Sequence, residues 1–228
     1  MPWLQPDSIE WESQLERSCI YAAIGLWPVA KILHQPYRIP MPSENRERYY
    51  LPDFSVKLLD GSEIVVEVKP TCFIEKNRAR FDAAAEWLRR SGIQFVVLTE
   101  TQLRHHSWSH IAPMFLYYAR WGIDDESRSE VIRCLQDAGG ETSFRSLWDG
   151  INPMTKIPAF HMIGRREIFC DPRAWHGDDT RIFLTNPTLK NSNGEQNAYN
   201  EIAGSADLFF KWLGAEPWGS NHAVQEAD

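Results

Sequence analysis

What this 228-residue chain lacks already narrows what it can be. Its four cysteines, Cys19, Cys72, Cys134 and Cys170, stand apart and none forms a C-x-x-C pair. A disulfide framework and a structural zinc site are therefore not expected, and a reduced compartment is the simpler reading. The longest charge-free apolar run, Ser18 to Ala30, is too short to cross a bilayer and contains Pro28. The first residues include Asp7, Glu10 and Glu12 but no basic stretch, so no secretory leader is expected. A basic surplus is also missing. The formal charge is −7, which argues against a protein that grips nucleic acid by charge alone. No G-x-x-x-x-G-K-[ST], G-x-G-x-x-G or G-x-S-x-G occurs, so neither a nucleotide-phosphate loop nor a serine-hydrolase elbow is expected. Internal repeats and long low-complexity tracts are absent as well.

What is there reads as an ordinary folded chain, with 43% hydrophobic and 24% charged residues and length for one large domain or two small ones. Ser8 to Leu26 reads as a helix closed by Trp27-Pro28, with Leu15, Cys19, Ala22, Ala23 and Leu26 at helical spacing toward the core. A short extended piece covers Ile32 to Ile39, and Met41 to Arg48 reads as a loop. Phe54 to Leu59 and Glu63 to Lys69 read as strands joined at Asp60-Gly61. Glu75 to Arg90 reads as a helix ended by Gly92, followed by a buried strand over Ile93 to Leu98. Strand, helix, strand in this order implies a right-handed crossover and a parallel pair.

Beyond Thr99 the pattern turns helical. Ser109 to Trp121, Asp125 to Ala138 and Ser143 to Ile151 read as helices, the last with Ser143 as N-cap. Thr155 to Ile163 is ambiguous, because Pro158 fits only a first helical turn, and Arg166 to Cys170 reads as a strand. Helices followed by a β element suggest a small winged-helix unit. Expected boundaries are residues 1–105 for the α/β domain, 106–184 for the winged-helix-like domain and 185–228 for a partly mobile tail. One apolar patch in the tail, Leu208 to Leu213, could dock a partner.

The chemistry concentrates in the hairpin. In its second strand Val65, Glu67 and Lys69 share one face. Asp53 joins them only if the loop is Leu59-Asp60-Gly61 with Gly61 left-handed, which pairs Leu58 with Ser62 and so Asp53 with Glu67. A two-residue Asp60-Gly61 turn would pair Asp53 with Val68 and turn the carboxylate away. The bulged loop is the expectation. Phosphodiester hydrolysis needs an activated water and a Lewis acid on the phosphate. Asp53 and Glu67 as carboxylates, with the Val68 carbonyl, form a donor set for a hard cation such as Mg²⁺, with Mn²⁺ as a substitute. Lys69 would orient the attacking water. The alternative is a hairpin with solvated charges and a Glu–Lys surface pair.

Glu16 has two readings: a ligand for a second ion, or the closing member of a capping box, Ser13-Gln14-Leu15-Glu16. Gln35 could touch phosphate, though a structural amide is the simpler role. His105, His106 and His110 cluster without a carboxylate or cysteine to complete a metal set.

Three segments resemble a known family: Ser13 to Arg17; Gln35-Pro36 followed by Tyr50 to Phe54; and Gly61 with Ile64 to Pro70. The strand end Val97-Leu98-Thr99-Glu100 is similar too. Together they resemble the PD-(D/E)xK nuclease superfamily, of restriction-endonuclease-like fold, and within it the TnsA-like endonuclease subunit of heteromeric transposases. The resemblance implies an α/β mixed-sheet core followed by a small winged-helix domain, with Glu16, Asp53, Glu67 and Lys69 catalytic. It further implies Mg²⁺-dependent nicking of double-stranded DNA at the 5′ ends of a transposon, in a bacterial cytoplasm and away from any membrane. A DDE-type, TnsB-like transposase subunit and an AAA+, TnsC-like regulator would be partners. Some family members carry Gln where this chain has Glu67. A stand-alone restriction, repair or phage nuclease shares the same core, and an inactive nuclease-fold adaptor is the reading from a different class.

Overall fold

The computed structural model describes residues 5–26, 28–42, 47–104, 107–150, 156–170, 176–184 and 205–219. The chain divides into two compact units, one of residues 1–105 with 202–228 and one of residues 106–201.

The first unit is built on a mixed sheet. Helix α1 (Gln14–Gly25) starts later than the apolar periodicity suggests, because Ser13 caps it by accepting a hydrogen bond from the Glu16 amide. Strand β1 (Val29–His34) follows, then a two-stranded ribbon of β2 (Ile39–Met41) and β3 (Arg48–Tyr50). The loop expected over Met41 to Arg48 overlaps these strands only at its two end residues, and it is the pairing of the strands that the prolines and charges did not suggest. Strands β4 (Phe54–Leu58) and β5 (Glu63–Val68) form the hairpin. Helix α2 (Ile74–Arg89) crosses to β6 (Gln94–Leu98), and α3 (Glu100–Arg104) closes the segment. The sheet order is β1-β4-β5-β6, antiparallel except for the parallel β5–β6 pair. That parallel pair is the one expected from the strand–helix–strand pattern.

One face of the sheet packs on α2. Val65, Phe95 and Val97 meet Phe81, Ala84 and Leu88 of that helix, joined by Ile39 and Tyr50 of the ribbon. Helix α1 packs against β1, β5 and α3. The continuous burial of Val65, Val66, Glu67 and Val68 follows from β5 being an inner strand covered on both faces.

The C-terminal patch differs from the expectation of a free docking segment. Helix α8 (Ser205–Leu213) belongs to the first unit, with Phe209, Phe210, Trp212 and Leu213 buried. Trp212 Nε1 donates to the Ala22 carbonyl at 3.0 Å. Farther on, the Trp218 amide donates to the Phe95 carbonyl at 2.7 Å, and its indole N–H donates to Asp82 at 2.7 Å. Trp218 thereby covers part of the open side of β6, an edge strand. The reason is amphipathicity: the patch is apolar enough to be buried in cis. Most of the rest of the expected tail, 185–204 and 220–228, lies outside the described residues.

The second unit contains α4 (Ser107–Tyr118), α5 (Asp125–Asp137), β7 (Glu141–Ser143), α6 (Phe144–Gly150), α7 (Lys156–Gly164), β8 (Phe169–Cys170) and β9 (Arg181–Phe183). Its strands pair antiparallel in the order β7-β9-β8. Ser143 accepts from the Ser146 amide at the start of α6, as a cap would. Pro158 sits in the first turn of α7, where its missing N–H costs nothing. The α4–α7 contact is close: a Cβ on Gly164 would stand 2.4 Å from the Phe115 carbonyl oxygen.

Gly61 sets the register of the hairpin. It lies at φ +85°, its amide donates to the Leu58 carbonyl, and the Leu58 amide donates to the Ser62 carbonyl. The bulged three-residue loop is therefore the observed one. Gly61→Val is expected to lower unit stability by about 1–2 kcal/mol, the cost of a left-handed non-glycine residue. Urea unfolding followed by circular dichroism measures this, and an unshifted midpoint would refute it.

Candidate active site

The register brings the hairpin residues together. Phe54 pairs with Val66 and Ser55 with Val65, which sets Asp53 across from Glu67. The ladder gives way at this point. Instead of a backbone partner, the Val68 amide takes the Asp53 side chain, donating to Oδ2 at 2.7 Å. On the other flank the Gln35 amide donates to the Asp53 carbonyl at 2.8 Å. Gln35 holds this contact at φ +43°, a left-handed conformation that costs a non-glycine residue energy.

Glu67 is only 2% exposed. A carboxylate at that depth needs partners on both oxygens. Lys69 Nζ lies 3.0 Å from Oε1, and the Tyr50 hydroxyl donates to Oε2 at 2.6 Å. Lys69 remains partly open, its side chain 28% exposed. The Lys69 amide donates to the Leu98 carbonyl and the Thr71 amide to Glu100, which ties the end of β5 to β6 and α3.

Electrostatics mark the same spot. The Asp53 carboxyl is pushed up to about 7, first by burial and then by the nearby Glu67 charge. The Val68 hydrogen bond and the Lys69 charge pull the other way, while Glu16 adds to the rise. Burial holds the Tyr50 phenol far above its usual value, with Glu67 reinforcing the effect, so it stays a hydrogen-bond donor. Burial likewise raises the Cys19 thiol, followed by the charges of Asp53 and Glu16, which keeps this buried thiol protonated.

Glu16 takes its capping-box geometry. Its oxygens accept from the Glu12 amide at 2.7 Å and from the Ser13 hydroxyl at 2.9 Å. Gln35 Nε2 donates to Glu12 at 3.1 Å, the structural-amide role. Glu16 thus meets the hairpin through its charge on Asp53, with both carboxylate oxygens already engaged. Among the described residues no three His, Cys, Asp or Glu side chains converge on a common point for a metal. His105 and His106 lie outside those residues, and His110 is exposed.

The donors at the hairpin nevertheless suit one hard cation. Asp53 Oδ1 accepts no hydrogen bond among the described residues, and a second carboxylate sits beside it in a largely buried place. In a strand, the N–H and C=O of one residue point to the same neighbour. The Val68 carbonyl therefore faces the same flank as the amide that binds Asp53. Two carboxylates and a carbonyl match the oxygen preference of Mg²⁺ or Mn²⁺, which keep waters in their remaining positions.

Residues 28–100 match the family model described as TnsA-like endonuclease N terminal. This stretch is similar to the N-terminal domain of TnsA-like endonucleases. The match spans about a third of the chain and contains Asp53, Glu67 and Lys69, whereas Glu16 precedes it. No curated protein matches the chain. None of its described helices is long and apolar enough to cross a membrane.

Sequence reasoning missed Tyr50 as a member of this site. The signal was its place three residues before Asp53. The ribbon that aims its hydroxyl was hidden by Pro40 and Pro42.

The raised Asp53 carboxyl gives a signed expectation. In the folded state it binds a proton up to about pH 7, whereas unfolded it would release that proton near 3.8. Its contribution to stability is therefore full below the unfolded value and is lost as pH rises through about 7. Asp53→Asn keeps the acceptor for Val68 without the charge. In metal-free protein at pH 8 the variant is expected to melt about 2–4 °C higher than wild type, the span of roughly 1 kcal/mol in a domain this size. The gap should close at pH 5. Thermal melts in chelator at both pH values check this, and a variant that melts lower at pH 8 would contradict it.

Proposed function

We propose that this chain is the metal-dependent endonuclease subunit of a heteromeric transposase, cutting phosphodiester bonds at the 5′ ends of a mobile element. The observation that carries the proposal is the set at the end of the hairpin: Asp53 opposite Glu67, with Lys69 on the Glu67 carboxylate. The family match over residues 28–100 supports the nuclease and transposition parts of the reading.

Asp53, Glu67 and the Val68 carbonyl would hold a Mg²⁺ ion. Bound there, such an ion acts as a Lewis acid on a phosphoryl oxygen and lowers the proton affinity of a coordinated water. Lys69, already on Glu67 and partly open to solvent, orients the attacking water and offsets phosphate charge. Glu67, anchored by Tyr50, keeps its position while Lys69 shifts toward the phosphate. Asp53 must give up its proton to serve as a ligand, so the affinity for the cation should rise with pH toward about 7. Glu16 would join, for a second ion, only by releasing its cap hydrogen bonds to Glu12 and Ser13.

The net charge of −7 fits an enzyme delivered to DNA by others. A DDE-type transposase that cuts the 3′ ends, and an AAA+ regulator, are the partners we infer. The second unit supports a winged-helix reading through its order α5, β7, α6, α7, β8, β9 and its β7-β9-β8 sheet. In that reading β8 and β9 flank the wing. Helix α7 is largely buried from Pro158 to Gly164, so it serves more as a core helix than as a groove-reading one.

The test is cleavage of transposon ends reconstituted with the partner subunits. Asp53→Ala and Lys69→Ala should each lower 5′-strand cutting by at least about 100-fold, the usual share of a positioned proton-transfer group or its equivalent. Cutting by the partner at the 3′ strand should persist. Wild-type rates in either variant would overturn the assignment of the site. Rapid cutting of plain DNA by the purified chain alone would instead favour a stand-alone nuclease.

A further inference from the structure

Among the buried polar groups of the first unit, Tyr50 stands out because its two ends belong to different environments. Its ring lies in the core, with centroids 6.4 Å from Phe81 and 6.5 Å from Phe95. Its backbone pairs with Ile39 at the base of the β2–β3 ribbon. Arg80 of α2 lies over the ring at 5.2 Å. The hydroxyl leaves that apolar setting and reaches Glu67 Oε2 at 2.6 Å.

The contact could serve either partner, and the chemistry decides which. A phenylalanine at position 50 would fill the same core and need no acceptor. A carboxyl group as buried as Glu67 cannot do without hydrogen-bond partners. The hydroxyl is therefore there for Glu67. Lys69 holds the other oxygen, so the carboxylate is gripped from both sides and cannot rotate freely. A carboxylate offers about four acceptor positions, and a single phenol leaves room for a cation on the remaining ones.

We propose that Tyr50 is a positioning residue for Glu67, fixing the carboxylate that would ligate the divalent cation and preventing it from closing onto Lys69. This rests on the metal-dependent reading of the same site. Without the hydroxyl, Oε2 has no fixed donor and Glu67 can turn both oxygens to the lysine ammonium. The ligand is then engaged before a cation arrives. Outer partners of metal-binding side chains act in this way, through orientation.

The experiment is calorimetric titration of the metal-free full chain with Mn²⁺, for wild type, Tyr50→Phe and Asp53→Ala. Tyr50→Phe removes one oxygen and leaves the ring. Its Kd for Mn²⁺ is expected to weaken by about 10–100-fold with unchanged stoichiometry. Titrating well below the variant's own melting temperature keeps the comparison between folded proteins. A purely structural role would instead lower the fraction of competent sites while the Kd of those remaining stayed put, and that result overturns the proposal. So does a Kd equal to wild type. In both cases wild type still binds and Asp53→Ala does not, so the metal reading survives. Failure of the wild type to bind Mn²⁺ overturns both.

Discussion

Two acidic side chains set across a hairpin, largely out of water, are the constraint on which the first unit's candidate site depends. Burial, and then the Glu67 charge beside it, raise the cost of ionising Asp53. The fold offsets this repulsion only in part: the Val68 amide and the Lys69 ammonium stabilise charge on one side, and the Tyr50 hydroxyl does so on the other. A divalent cation between the carboxylates would remove the strain outright. The fold thus carries a local penalty at these carboxylates that a bound cation would relieve.

That arrangement depends on a backbone detail several residues away. Gly61 takes a left-handed turn, and the loop thereby contains three residues. With one residue fewer, every side chain before the turn would exchange faces, and Asp53 would leave Glu67. The surrounding packing then preserves what the turn sets. Helix α2 seals one face of the sheet through Phe81, Ala84 and Leu88. The C-terminal segment returns to place Trp212 on α1 and Trp218 on the outer edge of β6. Its apolar patch therefore belongs to the domain core.

Much of the first unit could be read directly from the residues. The apolar runs of β5 and β6 and the helical stripe of α2 are strong signals, and they predict the parallel pair that is found. Asp60-Gly61 announced the turn, and the parity of the strands limited it to two loops. The ribbon of β2 and β3 was not legible, since its short strands hold Pro40, Arg48 and adjacent aromatics without a clean alternation. Strands β7 and β9 are three residues each, too short for any period to register. The Ser13–Glu16 pair was legible as a cap, and the cap is what formed.

By itself the sequence determined which groups the chain had to offer and which local shapes they favoured: an acid before one strand, an acid and a lysine ending the next, and a glycine between. These are short-range consequences of side-chain chemistry and dihedral preference, so neighbours along the chain suffice to specify them. Tertiary structure alone decided the protonation balance of Asp53, the recruitment of Tyr50 to Glu67 and the return of residues 205–219 to the first unit. Each depends on how much water is excluded and on which distant segment excludes it, and burial is a property of the packed whole.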